Sequence, residues 1–249
     1  MKLEKKERRI VLKMFIFMCA FAFTNNVSAM HIMEGFLPPG WSICWSIVVI
    51  PFLVWGYFNM KKEHDNNKNT LLLFATCAAY VFLVSALKLP SVTGSSSHAT
   101  GIALGAILLG PSPMAIIGFI VLLFQALILN HGGLTTLGAN IFSMAIVGAF
   151  SAYAVYILLK KLKVKPAVCI FVATLVSNLA TYSTTALQLG LAFPDPSGGV
   201  IASLIKFLSV FAITQIPLAL VESILTVMIF EGIKNKDVFS KDTKELIHE

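Results

Sequence analysis

Apolar residues gather into seven stretches of this chain, at about 41–59, 71–87, 101–109, 113–129, 137–159, 167–190 and 200–230, and polar residues are largely confined to the short segments between them. A helix needs ~20 apolar residues to cross the hydrocarbon core of a bilayer, so most of these stretches predict membrane crossings. The stretch 101–109 is too short alone and must borrow from its flanks or cross only in part. A further apolar run, Met14 to Phe23, has different surroundings. Lys2, Lys5, Lys6, Arg8, Arg9 and Lys13 precede it, and Val27-Ser28-Ala29 follows with small residues where a signal peptidase cuts. The pattern divides the chain into a cleavable signal peptide at 1–29, a transmembrane domain at 30–233 and a polar cytoplasmic tail at 234–249.

Composition agrees with the pattern. With 57% hydrophobic residues, 12% charged residues and a mean hydropathy of +0.84, the chain is an all-α membrane protein, a bundle of about seven transmembrane helices. Seven crossings from an exported amino terminus return the carboxyl terminus to the cytoplasm, and the lysines test that orientation. Lys61, Lys62 and Lys68, then Lys160, Lys161, Lys163 and Lys165, then Lys234, Lys236, Lys241 and Lys244 all fall on the predicted inner side, as the positive-inside rule requires. Lys88 sits near a membrane end and Lys206 within the last span. The formal charge of +7 is therefore signal peptide and inner-leaflet bias, and it lends no support to a nucleic-acid partner, which calls for a clustered basic face. Cys44, Cys77 and Cys169 fall singly in apolar spans and read as small hydrophobes. Met18 before Cys19 is a poor lipid-modification signal.

Cleavage after Ala29 changes the chemistry, because it exposes Met30 as an α-amine with His31 directly behind it. A metal held by that amine and the deprotonated His31 amide nitrogen closes a five-atom ring, and the same amide with the His31 Nδ1 closes a six-atom ring. Three nitrogens then lie nearly in one plane. A fourth completes a square, which suits Ni(II), Cu(II) and related late transition ions better than tetrahedral zinc. Each ligand must be deprotonated or neutral, so binding is expected to depend strongly on pH.

Polar residues within or beside the spans are the other candidates. His98 lies in Ser95-Ser96-Ser97-His98-Ala99-Thr100-Gly101, an outer connection leading into the truncated stretch, where an exported amino terminus can fold back. A loop histidine bonded to neighbouring hydroxyls is its ordinary role; the glycine-flanked setting at membrane depth, tolerated only where protein buries it, points beyond that. His131 reads as an interfacial or supporting residue, while His64 and His248 fall on the wrong side. Ser177, Thr181, Thr184 and Gln188 form a stripe at helical spacing, the usual sign of interhelical hydrogen bonding. Gln215 and Glu222 share a face around Pro217, with Glu222 expected near the inner half, stabilising packing or a partner contact. Ala75 and Ala79, Gly101 and Gly105, and Gly148 and Ala152 fit small-xxx-small packing, and the alanine pair, toward the cytoplasmic end, also suits a membrane partner.

Four blocks together resemble one family. Met30-His31-Ile32-Met33-Glu34-Gly35-Phe36-Leu37-Pro38, the stretch Gly94 to Gly101, Leu104 to Pro111, and His131-Gly132-Gly133-Leu134-Thr135-Thr136-Leu137-Gly138-Ala139-Asn140 look like CbiM, the substrate-binding membrane subunit of energy-coupling-factor cobalt transporters. The resemblance spans essentially the whole mature chain. It implies a seven-helix fold in the bacterial cell membrane whose processed amino terminus inserts into the bundle, with the metal held by the Met30 amine, the His31 amide and ring, and His98. Ser96, Ser97, His131 and Asn140 are the candidate supporting residues. The implied cargo is Co(II) for cobalamin synthesis, with no prosthetic group; nickel-specific relatives tend to carry Pro-Asp where this chain has Met33-Glu34, and Ni(II) is the alternative cargo. Ala99 and Ala149 stand where the family often has proline, a departure that touches loop rigidity and removes no ligand.

No GxxxxGK[ST] sequence is present, so ATP must be coupled by partners. The resemblance implies a transmembrane coupling subunit, a small accessory membrane subunit and a cytoplasmic ATPase, with this chain a transport subunit and not an enzyme. A stand-alone secondary transporter would show an internal repeat and ionisable residues along its spans. An intramembrane metalloenzyme would show HExxH or a comparable cluster. Neither pattern stands out.

Overall fold

The computed structural model describes residues 31–86 and 98–233, with the backbone alone of Ser28–Ala29, Lys88–Pro90, residues 95–97 and Lys234. The signal peptide predicted over 1–29, apart from the backbone of its last two residues, lies outside the described residues, as do Met30, the side chains of Ser96 and Ser97, and the tail beyond Lys234.

Seven helices follow the apolar stretches among the described residues: α1 (Pro39–Asn66), α2 (Thr70–Ala86), α3 (Ile102–Leu109), α4 (Pro111–Ile128), α5 (Leu137–Lys161), α6 (Pro166–Ala192) and α7 (Gly199–Lys234). Pro39, Pro111 and Pro166 each open a helix, where the missing N–H removes no intrahelical bond. Five helices, α1, α4, α5, α6 and α7, are long and apolar enough to cross a membrane, and α2 is an apolar helix of 17 residues. The expectation of about seven crossings is therefore modified at α3. Its 8 residues rise only ~12 Å, and Ile102 through Ile107 are all buried, so it is a half-helix enclosed by the others.

The all-helical expectation omitted one element, a short sheet. Strand β3 (Ser95–His98) pairs in parallel with β1 (Ser28–Ala29) and antiparallel with β2 (Lys88–Pro90), in the register Ala29↔Ser96 and Lys88↔His98. Its effect is positional: the segment preceding His31 runs beside the strand that ends in His98. A second departure lies in α5, where Ile141–Gly148 winds as a π-helix. Such widened turns often mark functional sites.

The core has three parts. Val49, Val81, Ile102, Met114 and Met144 join α1 to α5. Leu104, Tyr156, Ile170 and Phe230 fill one further region, and Ile32, Leu37, Tyr182, Leu189 and Phe211 another. Ile32 and Leu37 are each 3% exposed, so the apolar residues after His31 insert the terminal segment into the bundle. The α6 stripe meets its expectation in part: Ser177 Oγ donates to Gly148 O at 2.8 Å and Gln188 Nε2 to Ala139 O at 3.1 Å, while Thr181 and Thr184 turn to carbonyls of their own helix. Lys61, Lys62, Lys160 and Lys161, toward the carboxyl-terminal ends of α1 and α5, lie at the end of the bundle away from His31, since both helices run from the His31 end.

Candidate metal centre

Two segments clasp each other at the end of the bundle where α1 begins. After α4, Asn130 adopts the left-handed conformation at φ 47°, which the short polar Asn side chain tolerates. The chain thereby turns back, and the His131 N–H donates to Gln125 O at 3.1 Å. The following residues close over the segment 31–35. Asn140 treats Ile32 as a strand partner would: its Oδ1 accepts the Ile32 N–H at 2.9 Å and its Nδ2 donates to Ile32 O at 3.1 Å. Thr136 Oγ1 also donates to Ile32 O, at 2.6 Å. The Thr135 N–H donates to the Glu34 carboxylate at 3.2 Å, and the Gly35 N–H donates to Thr135 Oγ1 at 3.1 Å. Hydrogen bonding from Thr135 holds the Glu34 carboxyl below its usual range despite some desolvation. The contact is backbone on backbone at Gly133, where a Cβ would stand 2.4 Å from Glu34 Cα.

This clasp, together with strand β3, brings three histidine rings to one point. His31, His98 and His131 are 4%, 0% and 1% exposed, and one ring nitrogen from each lies within 4.8 Å of the others. His98 donates its Nδ1–H to Ala99 O at 2.9 Å, which leaves Nε2 with a lone pair. That Nε2 stands 2.6 Å from His31 Nδ1, and His131 Nε2 stands 3.0 Å from the same atom. The His31 and His98 rings are nearly parallel at 11°, and His131 meets them edge-on at 66° and 75°.

These spacings have a chemical reading. Two nitrogens bound at right angles to one metal, at about 2.0–2.1 Å each, are about 2.9 Å apart. The contacts to His31 Nδ1, 2.6 Å from His98 and 3.0 Å from His131, bracket that value and are also hydrogen-bond distances, so the three rings could share one ion. The nitrogen that His31 presents is Nδ1, the one required by a six-atom ring with its own amide.

The structure thus unites His31, His98, His131 and Asn140. His131, read from sequence as interfacial or supporting, has its Nε2 within 0.4 Å of the same distance from His31 Nδ1 as His98 has. Thr135, Thr136 and Gly133 were not singled out, although the polar density between Asn130 and Asn140 is itself a signal. Glu222, expected to stabilise packing or a partner contact, serves packing: its carboxylate accepts from Thr100 and Gly101, two and three residues after His98.

Residues 31–237 match the family model CbiM, described as the cobalt uptake substrate-specific transmembrane region. The chain is 54% identical over 232 residues to the cobalt transport protein CbiM of Lachnoclostridium phytofermentans, covering 93% of each chain. It is 52% identical over 227 residues to the protein of the same description from Chlorobium limicola, covering 91% of this chain and 88% of the relative. Two solved structures of transition metal transporters, one of them truncated, share the fold at 26% identity. The truncated one has a TM-score of 0.68 over 82% of this chain and 97% of its own, and the other 0.67 over 87% and 99%.

Proposed function

The chain belongs to the CbiM family of cobalt-uptake substrate-specific transmembrane proteins, and on that premise we propose that it captures Co(II) at the His31 centre and hands it to an ATP-driven import complex. The observation that carries this reading is the convergence of His98 Nε2 and His131 Nε2 on His31 Nδ1, buried and at ligand spacing. In this reading the Met30 amine and the His31 amide supply two further nitrogens once the leader is removed, and His98 completes the plane. The clasp by Asn140 and Thr136 fixes the Ile32 backbone, and so the direction from which the His31 amide faces the ion. Burial of the three rings lowers the local dielectric, which strengthens every ligand contact. In this reading the cargo serves cobalamin biosynthesis, and a partner ATPase, coupling subunit and accessory membrane subunit complete the complex; the lack of a GxxxxGK[ST] sequence here supports assigning ATP coupling to a partner.

The test uses purified mature protein, Co(II) and Ni(II), and calorimetric titration. Acetylating the Met30 amine or blocking cleavage at Ala29 should abolish high-affinity binding with every side chain intact, and His31→Ala should be as severe. His98→Ala should weaken binding by opening one position. Unchanged affinity in the amine-blocked protein would remove the terminal chelate from the reading, and a clear preference for Ni(II) would change the cargo. Metal uptake that persists without the ATPase would favour a stand-alone transporter.

A further inference from the structure

Beyond His98 the chain passes through Ala99, Thr100 and Gly101 before α3 begins. This is non-helical backbone enclosed by the bundle: His98 and Thr100 are fully buried, and Gly101 takes a left-handed φ of 68° that a side chain would strain. Backbone N–H groups in such a place must find partners within the protein. Glu222, 1% exposed on α7, provides them. Its Oε2 accepts the Thr100 N–H at 2.7 Å, and its Oε1 accepts the Gly101 N–H at 2.8 Å and the Thr100 hydroxyl at 3.0 Å.

Three donors converge on the two oxygens of one side chain, an arrangement that a carboxyl group matches and an amide does not. A carboxylate offers only acceptors, on two oxygens. In Gln, one oxygen serves one side of the turn and an NH₂ confronts the N–H on the other. Asp is one carbon short. The centre is therefore fastened from two sides. Asn140 and Thr136 hold the His31 segment, and Glu222 holds the segment that begins with His98.

We propose that Glu222 is the positioning residue for His98, keeping its Nε2 at the metal and so setting how firmly the cargo is retained. This rests on the metal site proposed above. Glu222 touches no ligand atom; it acts through the Thr100–Gly101 turn, within three residues of His98. Partners of this kind, one step behind the ligands, change metal affinity about 10–100-fold when removed.

The experiment is a double-mutant cycle on the full mature chain, read by Co(II) titration and by the visible absorption of bound Co(II). Glu222→Gln should weaken Co(II) binding about tenfold or more and move the absorption bands toward those of His98→Ala. In the His98→Ala background the same substitution should change affinity less than about twofold, because the group it positions is gone. Thr100→Val, which removes one of the three donors, should give a smaller loss in the same direction, and Thr100→Ser should restore parental behaviour. Equal losses from Glu222→Gln in both backgrounds, or parental affinity and bands in that variant, would overturn the proposal. If Glu222→Gln does not fold, the Thr100 pair decides: parental binding in Thr100→Val, or an equal loss with and without His98, overturns it. A His98→Ala protein that binds Co(II) like the parent would overturn the metal site itself, and this inference with it.

Discussion

Asn140 has the one side chain that can both accept from Ile32 N and donate to Ile32 O at this distance without changing the backbone. Asn140→Asp keeps the acceptor and turns the donor into a second oxygen facing Ile32 O. Stability should fall by about 1–3 kcal/mol, and Co(II) affinity by about tenfold or more, measured by thermal melting and titration; unaltered affinity would detach Asn140 from metal binding. At this scale the expectation of a terminal chelate rests on ring size between Met30 and His31, which follows from covalent connectivity and needs no fold; Met30 itself lies outside the described residues. His98 entered through its setting and the family resemblance. The convergence of His131 was not legible, since it depends on the left-handed turn at Asn130 that folds residues 131–136 back over Ile32. A packing role for Glu222 was legible but its partner was not, because that turn lies 122 residues away in sequence, a contact that helical spacing cannot reveal.

Among the elements, apolar run lengths located the seven helices of the described residues and marked 101–109 as short, because hydrophobic length is what a bilayer selects. They gave no warning of the π-helical turns at Ile141–Gly148, whose residues are as apolar as those of an ordinary span. The short sheet was equally silent, being made of Ser and Pro segments with little strand propensity. Small-residue stripes were readable as stripes but not as to their use. Gly105 faces inward, where a Cβ would meet Met114 Sδ at 2.5 Å and Cys77 Sγ at 2.6 Å. Ala75 and Ala79 are exposed on α2, and Ala79 lines an apolar groove with Phe82, Leu83, Phe124 and Ile128. Replacing both alanines with Leu should lower cobalt uptake by the assembled transporter several-fold and leave Co(II) binding by the isolated chain unchanged. Uptake assays and calorimetry separate the two; a parallel loss of binding would assign the pair to internal packing.

In the whole molecule, the ends of the bundle differ in kind. One carries the histidines and the clasp; the other carries Lys61, Lys62, Lys160 and Lys161 toward the carboxyl-terminal ends of α1 and α5. By the positive-inside rule the lysine end should face the cytoplasm, so reporter fusions at residue 66 and after residue 240 should both read as cytoplasmic. An external signal from either would reverse the orientation or change the number of crossings. The closed centre also governs time. With rings 4%, 0% and 1% exposed, a hydrated ion is expected to reach His31 Nδ1 when the segment bearing His31 or the one bearing His98 lifts away. Capture is then gated: in stopped-flow mixing, the observed rate should rise with Co(II) concentration and level off at the opening rate, with the same plateau for Ni(II). A rate that climbs linearly to the highest concentrations would mean that the door already stands open.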